Sequence, residues 1–292
     1  MTGTAEIVRA LGALCEPSTQ RSPVLAEALG LERAPEPEEF VEAFVLQLYP
    51  YASVYLGAEG MLGGEARDRV AGFWRALGLT PPPEPDHLAA LLGLYASLIE
   101  AVEDEPDSPR AALLDRARAA LLWEHLSSWL GPYLHKMDEA PAPYAGWAKM
   151  LRAVLAAEEA RTRPPSQLPL ALREATDLPD DDAAPREWTQ ALLAPARSGM
   201  ILTRADLARG ARTIGLGVRL GERAFILRTM LEQDAYTVTG WLASEASSWI
   251  DVHESAPTGD GEVARWWAGR ARHTAEVLRN LTREPATDVA SR

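Results

Sequence analysis

Between Pro81 and Asp107 the chain carries Glu84, Asp86, Glu100, Glu103, Asp104, Glu105 and Asp107 and not one lysine or arginine. Carboxylates gathered without counter-cations are acceptors for guanidinium or ammonium groups, and beside apolar surface they suit a segment that joins arginines to hydrophobic residues. Glu84, Asp86 and His87 stand at a junction stiffened by Pro81-Pro82-Pro83 and Pro85, which forbid helix and fix an extended connector. Each of them also has a plainer role: Asp86 as the N-cap of the next helix, His87 packed in its first turn, and Glu103 to Asp107 as a solvated helix end. Tyr49, Tyr51 and Tyr55 offer apolar area with a polar tip, for lining a groove or for packing a loop. His125, Trp129 and Tyr133 fall at i, i+4 and i+8 on one helical face, the spacing of a buried stripe as well as of a binding wall.

The charge inverts further along. From Arg197 to Arg228 there are seven arginines against Asp206 and Glu222, a local +5 in a chain of net charge -13. Pairing with the acidic first half is the plainest account of these cations. A patch built on Arg204, Arg209 and Arg212 that meets an anionic cofactor or an acidic face of a partner is another. Leu202 to Ala208, then Ile214-Gly215-Leu216-Gly217, also has the look of a helix-turn-helix. The net negative charge opposes nucleic acid, and two glycines in a long loop depart from that motif, so no nucleic acid is expected as a partner.

Catalytic and metal-binding patterns are not visible. There is no Gly-x-Ser-x-Gly elbow and no phosphate-cradling glycine loop. The five histidines are scattered without metal-ligand spacing, and Cys15 is the only cysteine, which excludes an intramolecular disulfide and suits a reducing compartment. No enzyme, no metal and no permanently bound cofactor are expected. The first residues, Met1 to Leu14, lack a basic leader region, and no apolar run approaches the roughly 18 residues of a membrane span. The cytoplasm is the expected location, with no stable membrane insertion.

The elements that must position these residues read as helices. Alanine and leucine dominate, and apolar residues recur with helical rather than alternating period, so the fold class is all-α. Helices are predicted over 5–14, 23–31, 38–49 and 65–77, with Gly78 as a stop and 52–64 as an ordered loop. After the proline junction a long helix, capped by Asp86, carries Leu88, Leu91, Leu92, Tyr95, Leu98, Ile99 and Val102 on one face. Another starts at Asp107 or Ser108 and runs through Leu122 toward a bend at Gly131-Pro132, and a further one covers 143–160. Composition then shifts to proline and aspartate over 161–185, read as a linker. Helical patterning returns at 187–193, 204–214, 222–233, 235–249 and 261–281. The expected organisation is therefore a helical domain at 1–160 with its hinge near 80–87, a linker at 161–185, a helical region at 186–284 and a frayed tail at 285–292.

Three segments, in this order, resemble the TorD/DmsD family of chaperones for exported molybdenum enzymes. They are Tyr49-Pro50-Tyr51-Ala52-Ser53-Val54-Tyr55-Leu56-Gly57, similar to the family's aromatic connecting loop; Pro85-Asp86-His87-Leu88, similar to its Glu-Pro-x-Asp-His hinge; and Leu122-Trp123-Glu124-His125-Leu126-Ser127-Ser128-Trp129-Leu130, similar to its His-Leu-x-x-Trp segment. Pro83 and Glu84 stand where the family has Glu-Pro. The resemblance covers roughly residues 1–160 and implies a TorD-like helical bundle. It also implies a function: a molecular chaperone that binds the twin-arginine signal peptide of a redox-enzyme precursor, assists cofactor insertion and delays export. The site residues it points to are Glu84, Asp86, His87, Tyr51, Tyr55, Glu100, His125 and Trp129. The implied partner is the leader and body of a molybdoenzyme precursor, with a transient contact to molybdopterin cofactor and with the chaperone as monomer or homodimer. The other reading is a helical transcriptional or signalling adaptor working through the arginine-rich C-terminal helices.

Overall fold

The structure, a computed structural model, describes residues 3–17, 19–106, 108–180, 182–255 and 261–282. Asp107 and the tail at 285–292 lie outside the described residues. Among those described, the regular structure is helical, and the one β-type contact is an isolated antiparallel bridge between Tyr51 and His87.

The first half contains α1 (Thr4–Ala13), α2 (Ser22–Ala28), α3 (Pro37–Phe40), α4 (Ala52–Leu56), α5 (Gly64–Ala76), α6 (Leu88–Asp104), α7 (Pro109–Ala120), α8 (Ser127–Met137) and α9 (Ala142–Arg161). Two wider π-helical stretches interrupt the regularity: Val41–Gln47 continues α3, and Leu121–Leu126 joins α7 to α8. Then follow α10 (Leu170–Arg173), α11 (Pro185–Leu193), α12 (Pro195–Ser198), α13 (Arg204–Thr213), α14 (Arg223–Gln233), α15 (Ala235–Glu254) and α16 (Gly261–Leu281). Many starts have a local chemical cause. The Ser108 hydroxyl accepts the Ala111 N–H at 2.9 Å, Asp234 accepts that of Thr237 at 2.9 Å, and Thr203 and Asp206 form a reciprocal capping box.

α1 packs along α6, α6 along α7, and α15 along α16, and one continuous cluster of buried apolar side chains runs from Ala5 to Leu278. Three tryptophans, Trp129, Trp147 and Trp267, are fully buried within it. Their indoles serve as carbonyl caps as well as filler. Trp147 Nε1 donates to the Leu11 carbonyl at 2.9 Å, satisfying an oxygen at the C-terminal end of α1, where helical partners run out. Trp267 Nε1 donates to the Ser128 carbonyl at 3.0 Å. That oxygen is orphaned by the sequence itself, because the residue four positions on is Pro132, which has no N–H to give. The helix α8 runs through the expected bend point at Gly131-Pro132 without ending there, and the irregular stretch lies upstream at Leu121–Leu126. The donated indole and the preceding π-helical widening together accommodate the proline.

Two buried ionic clusters tie helices together. The Glu158 carboxylate, 2% exposed at its side chain, accepts the Tyr95 hydroxyl at 2.8 Å and Arg118 at 2.6 Å. Lys136 Nζ, on α8, meets Asp206 of α13 at 3.0 Å, both side chains nearly sealed from solvent, with Glu139 at 2.6 Å. A buried ion pair like this one survives only when both charges are compensated. Burial opposes the Asp206 charge, but Lys136 and the Thr203 N–H and hydroxyl outweigh it and hold the carboxyl below its ordinary range.

The proline- and aspartate-rich stretch at 161–185 is fastened on several sides. Its backbone N–H at Leu170 reaches Glu124 at 2.8 Å, Glu174 pairs with Arg69 at 2.5 Å, and Arg270 of α16 holds Asp177 together with the Ala175 and Thr176 carbonyls. Ala171 and Leu172 are buried. Directly after it, Ala191 to Leu202 is buried without interruption. Gly199, at φ +74°, ends α12 so close to α16 that a Cβ there would lie 2.2 Å from the Ala271 nitrogen.

Candidate functional site

The proline connector folds back onto the aromatic loop. Ala52 N–H donates to the Asp86 carbonyl at 3.0 Å and Leu88 N–H to the Pro50 carbonyl at 2.8 Å, so Tyr51 and His87 face each other across the bridge. Their rings meet edge to face at 4.7 Å. The Tyr51 hydroxyl donates to Glu84 Oε2 at 2.7 Å, leaving Oε1 without a partner among the described residues on an exposed side chain. Burial first, and the neighbouring Glu84 carboxylate second, push the Tyr51 phenol up, so it stays protonated and keeps donating. His87, not Asp86, caps α6: its Nδ1 accepts the Ala89 N–H at 3.1 Å, which places the ring proton on Nε2. Burial lowers the His87 pKa against the pull of Glu84, Glu16 and Asp86, so the ring is neutral at pH 7 and adds no positive charge beside Glu84. Asp86 is 1% exposed and accepts the Ser53 N–H at 3.1 Å. It is a clamp inside the hinge rather than a surface ligand, which corrects its expected place as the helix cap.

The other expected positions separate from this corner. Tyr55 and Trp129 stack at 5.0 Å, both sealed in the core, with the Tyr55 hydroxyl donating to the Tyr49 carbonyl at 2.9 Å. They hold the loop from behind and cannot touch a ligand without unpacking. His125 is half-buried edge-on against Phe73 of α5 at 5.0 Å, and burial, with Arg69 nearby, takes its pKa down to about 4. Glu100 lies on α6 in a bidentate pair with Arg9 at 2.7 Å, and that hydrogen-bonded pairing lowers its pKa. Glu84, Tyr51 and His87 thus form the accessible group; Asp86, Tyr55 and Trp129 back it; His125 and Glu100 stand elsewhere.

A second feature adjoins the corner that the sequence reading did not single out. Arg67 Nη2 donates to the Pro83 carbonyl at 2.9 Å, and the Gly63 N–H to Ser53 Oγ at 3.1 Å, so the start of α5 and the turn before it abut the hinge. That turn forms one wall of a cavity of about 300 Å³ lined by Leu56, Met61, Leu62 and Ala66, with Glu59, Glu65 and Glu174 as its carboxylates and Arg69 bridging the last two. Met61 and Leu62 are exposed at 62% and 56%, unusual for large apolar side chains. Glu174 comes from the strap formed by residues 161–185, more than a hundred positions away, which is why local spacing gives no hint of the cavity. The hinge group itself does not line this cavity or the two larger ones. The hinge group thus adjoins this cavity through the Arg67–Pro83 and Gly63–Ser53 hydrogen bonds and does not line it.

The arginine-rich stretch is divided, with Arg197 and Arg223 turned inward and Arg209, Arg212, Arg219 and Arg228 exposed. Arg197 Nε donates to the Asp177 carbonyl at 2.9 Å, and Arg223 to the carbonyls of Leu202 and Gly60 at 3.0 and 3.4 Å. Arg209 pairs with Asp206 at 2.5 Å and Glu245 at 3.3 Å, and Arg228 with Glu232 at 3.6 Å. Arg204 is half-buried at the rim of a cavity, and Arg212 and Arg219 are exposed with no ion pair among the described residues. Most partners are carboxylates of the C-terminal half or backbone carbonyls, so the expected pairing with the acidic first half is not how these cations are satisfied. α13 and α14 are separated by the whole of 214–222, and this geometry gives the adaptor reading no support. Among the described residues no three His, Cys, Asp or Glu side chains gather as metal ligands would, and no helix is long and apolar enough to cross a membrane.

Fold and site define an all-helical protein that presents an oriented carboxylate, a phenol and a neutral imidazole on a proline-stiffened junction. Residues 12–134 match the family model described as the nitrate reductase delta subunit, a stretch that runs from α1 into α8 and contains the whole hinge corner. No curated protein and no solved structure matches the chain.

Proposed function

We propose that this chain is a chaperone of the nitrate reductase delta subunit type, which holds the twin-arginine leader of a molybdoenzyme precursor in the cytoplasm while cofactor is inserted and export waits. The observation that carries this reading is the coincidence of the family match at 12–134 with the Tyr51–Glu84–His87 corner. Glu84, aligned by the Tyr51 hydroxyl, offers its second oxygen to one arginine of the leader, and the His87 Nε2–H and Tyr51 ring supply a donor and an apolar edge. The apolar part of the leader follows the exposed Met61–Leu62 turn into the adjoining cavity, where Glu59 complements a second cation. Methionine suits such a wall, because its flexible thioether repacks around different side chains. Residues 1–160 form the chaperone body in this reading, and the strap and C-terminal helices brace it. The exposed arginines of α13 are the place for a transient molybdopterin contact.

The test is a calorimetric titration with a leader peptide of the partner enzyme. A dissociation constant on the order of 1 µM corresponds to about 8 kcal/mol, and each charge-assisted hydrogen bond to an arginine supplies roughly 1.5–3 kcal/mol of it. Replacing both leader arginines by glutamine is therefore expected to weaken binding at least about 100-fold. Equal binding of both peptides would overturn the reading.

A further inference from the structure

A cavity of about 450 Å³ opens between α8 and α9 on one side and the end of α15 and the start of α16 on the other. Leu130, Leu134, Leu155, Val252, Val263 and Trp267 give it apolar walls. A concave, mostly apolar hollow of this size with a few convergent polar groups suits a small molecule. The family match at 12–134 reaches only the α8 wall, so the likeness to the delta subunit does not account for the cavity.

Its polar groups call for a donor. His253 is 3% exposed and its Nε2 meets the Gly199 carbonyl at 2.8 Å, so the ring proton stands on Nε2 and Nδ1 is left as an acceptor. Nδ1 has no partner among the described residues and is not sealed in by protein, so on this lining ring it opens on the cavity. Three lining carboxylates, Asp138, Glu159 and Asp251, stand against one guanidinium, that of Arg152. Arg152 Nη2 is engaged by Asp138 at 2.9 Å and by the Leu134 carbonyl at 2.9 Å. Desolvation holds the pKa of both lining histidines, His135 and His253, below the ordinary value, so neither adds positive charge at pH 7. The negative excess rests on Glu159, which accepts the Ser127 hydroxyl at 2.5 Å, and on Asp251, exposed and without an ion pair among the described residues. This lining repels an anion, and a wholly apolar molecule would bury Nδ1 without a donor. Among the described residues no three side chains gather as metal ligands would. The complementary ligand is a cation with N–H donors on an apolar body.

We infer that this cavity binds a small hydrophobic amine, whose ammonium donates to His253 Nδ1 and is balanced by Glu159 and Asp251 while its apolar body packs on Leu130, Leu155 and Trp267. Because α8 and α9 form one wall and α15 and α16 the other, the ligand fastens the C-terminal helix pair to the first half of the chain. The site shares no residue with the hinge corner, so it stands or falls apart from the leader-binding reading.

Calorimetric titration of the full chain at about pH 7 with phenylbutylamine, and with phenylbutanol and phenylbutyrate as its neutral and anionic counterparts, tests the assignment. The amine is expected to bind with a dissociation constant below about 1 mM, and the alcohol and the butyrate at least about tenfold more weakly. D251N, at an exposed side chain, is expected to weaken the amine at least about threefold. A264F, which fills the cavity from the start of α16, is expected to abolish its binding. Far-UV circular dichroism reports whether each variant is folded; should A264F not fold, D251N and the comparison of the three ligands still decide. An amine that does not bind below about 1 mM, an alcohol or butyrate that binds as tightly, or an affinity that D251N leaves unchanged would each overturn the inference. So would a folded A264F that binds the amine as wild type does, since that outcome seats the amine elsewhere.

Discussion

Pro132 and Trp267 lie 135 positions apart, yet the structure makes each the chemical complement of the other. An alanine at 132 would donate its N–H to Ser128 within α8; proline leaves that buried carbonyl unclaimed, and the Trp267 indole takes it at 3.0 Å. W267F removes the donor and keeps most of the ring, so its cost is a buried unsatisfied acceptor, roughly 1–3 kcal/mol, together with a packing loss of about 1 kcal/mol. P132A supplies a rival donor. In the P132A background, W267F therefore forfeits only the packing, and the two substitutions are coupled by about 1–2 kcal/mol, with the double variant more stable than the sum of the singles. The change in unfolded-chain entropy on losing a proline, about 0.4–1 kcal/mol, is common to both arms of the cycle and cancels. Urea unfolding of the four proteins, compared at a common slope, measures the coupling. A W267F penalty that agrees in the two backgrounds to within about 0.5 kcal/mol would refute the exchange of donors.

Two further outcomes follow from local geometry. His125, half-buried, and His253, buried, both have pKa values taken down to about 4 by burial, against an ordinary 6.5. The unfolded chain therefore takes up protons that the folded chain refuses: stability is full above about pH 6.5, falls as pH drops toward 4, and by pH 5 is reduced by about 2 kcal/mol for each ring. Thermal melts between pH 7 and pH 4.5 are expected to flatten in H125Q, and an unchanged slope would contradict the burial argument. Gly199 and Gly215 both have positive φ, but a Cβ at Gly215 meets nothing within 4 Å, whereas at Gly199 it strikes the backbone of α16. G215A is expected to cost about 1 kcal/mol, and G199A well over 2 kcal/mol, or a melting temperature at least about 4 °C lower. Similar costs at the two sites would be the contrary result.

The helices were legible because their apolar faces repeat locally: the long helix after the junction was expected with Leu88, Leu91, Leu92, Tyr95, Leu98, Ile99 and Val102 inward, and the first six are buried while Val102, near its end, is half-buried. The corner at Tyr51, Glu84 and His87 was reachable from motif and proline chemistry. The exact cap was not, since Asp and His both accept an N–H and only the backbone bridge to Pro50 decides between them. Ala52 to Leu56, expected as loop, is helical and wholly buried, because its tyrosine and valine pack against α8 and α12 rather than repeat along a long local face. What stayed hidden depended on distance along the chain. Glu174 reaches Arg69, Trp267 reaches Ser128 and Asp206 reaches Lys136, and no local period encodes those meetings. The same holds for Arg197 and Arg223, whose partners are the carbonyls of Asp177, Leu202 and Gly60.

The central claim is that Glu84, held by the Tyr51 hydroxyl, receives an arginine of the client's leader. A titration of wild type and E84Q against the leader peptide and its double-glutamine form tests it in a single cycle. For the native leader, E84Q is expected to weaken binding by roughly 10- to 150-fold, the worth of one charge-assisted hydrogen bond, while the glutamine leader binds both proteins alike. If E84Q holds the native leader as tightly as wild type does, the carboxylate has no part in recognition and the account fails.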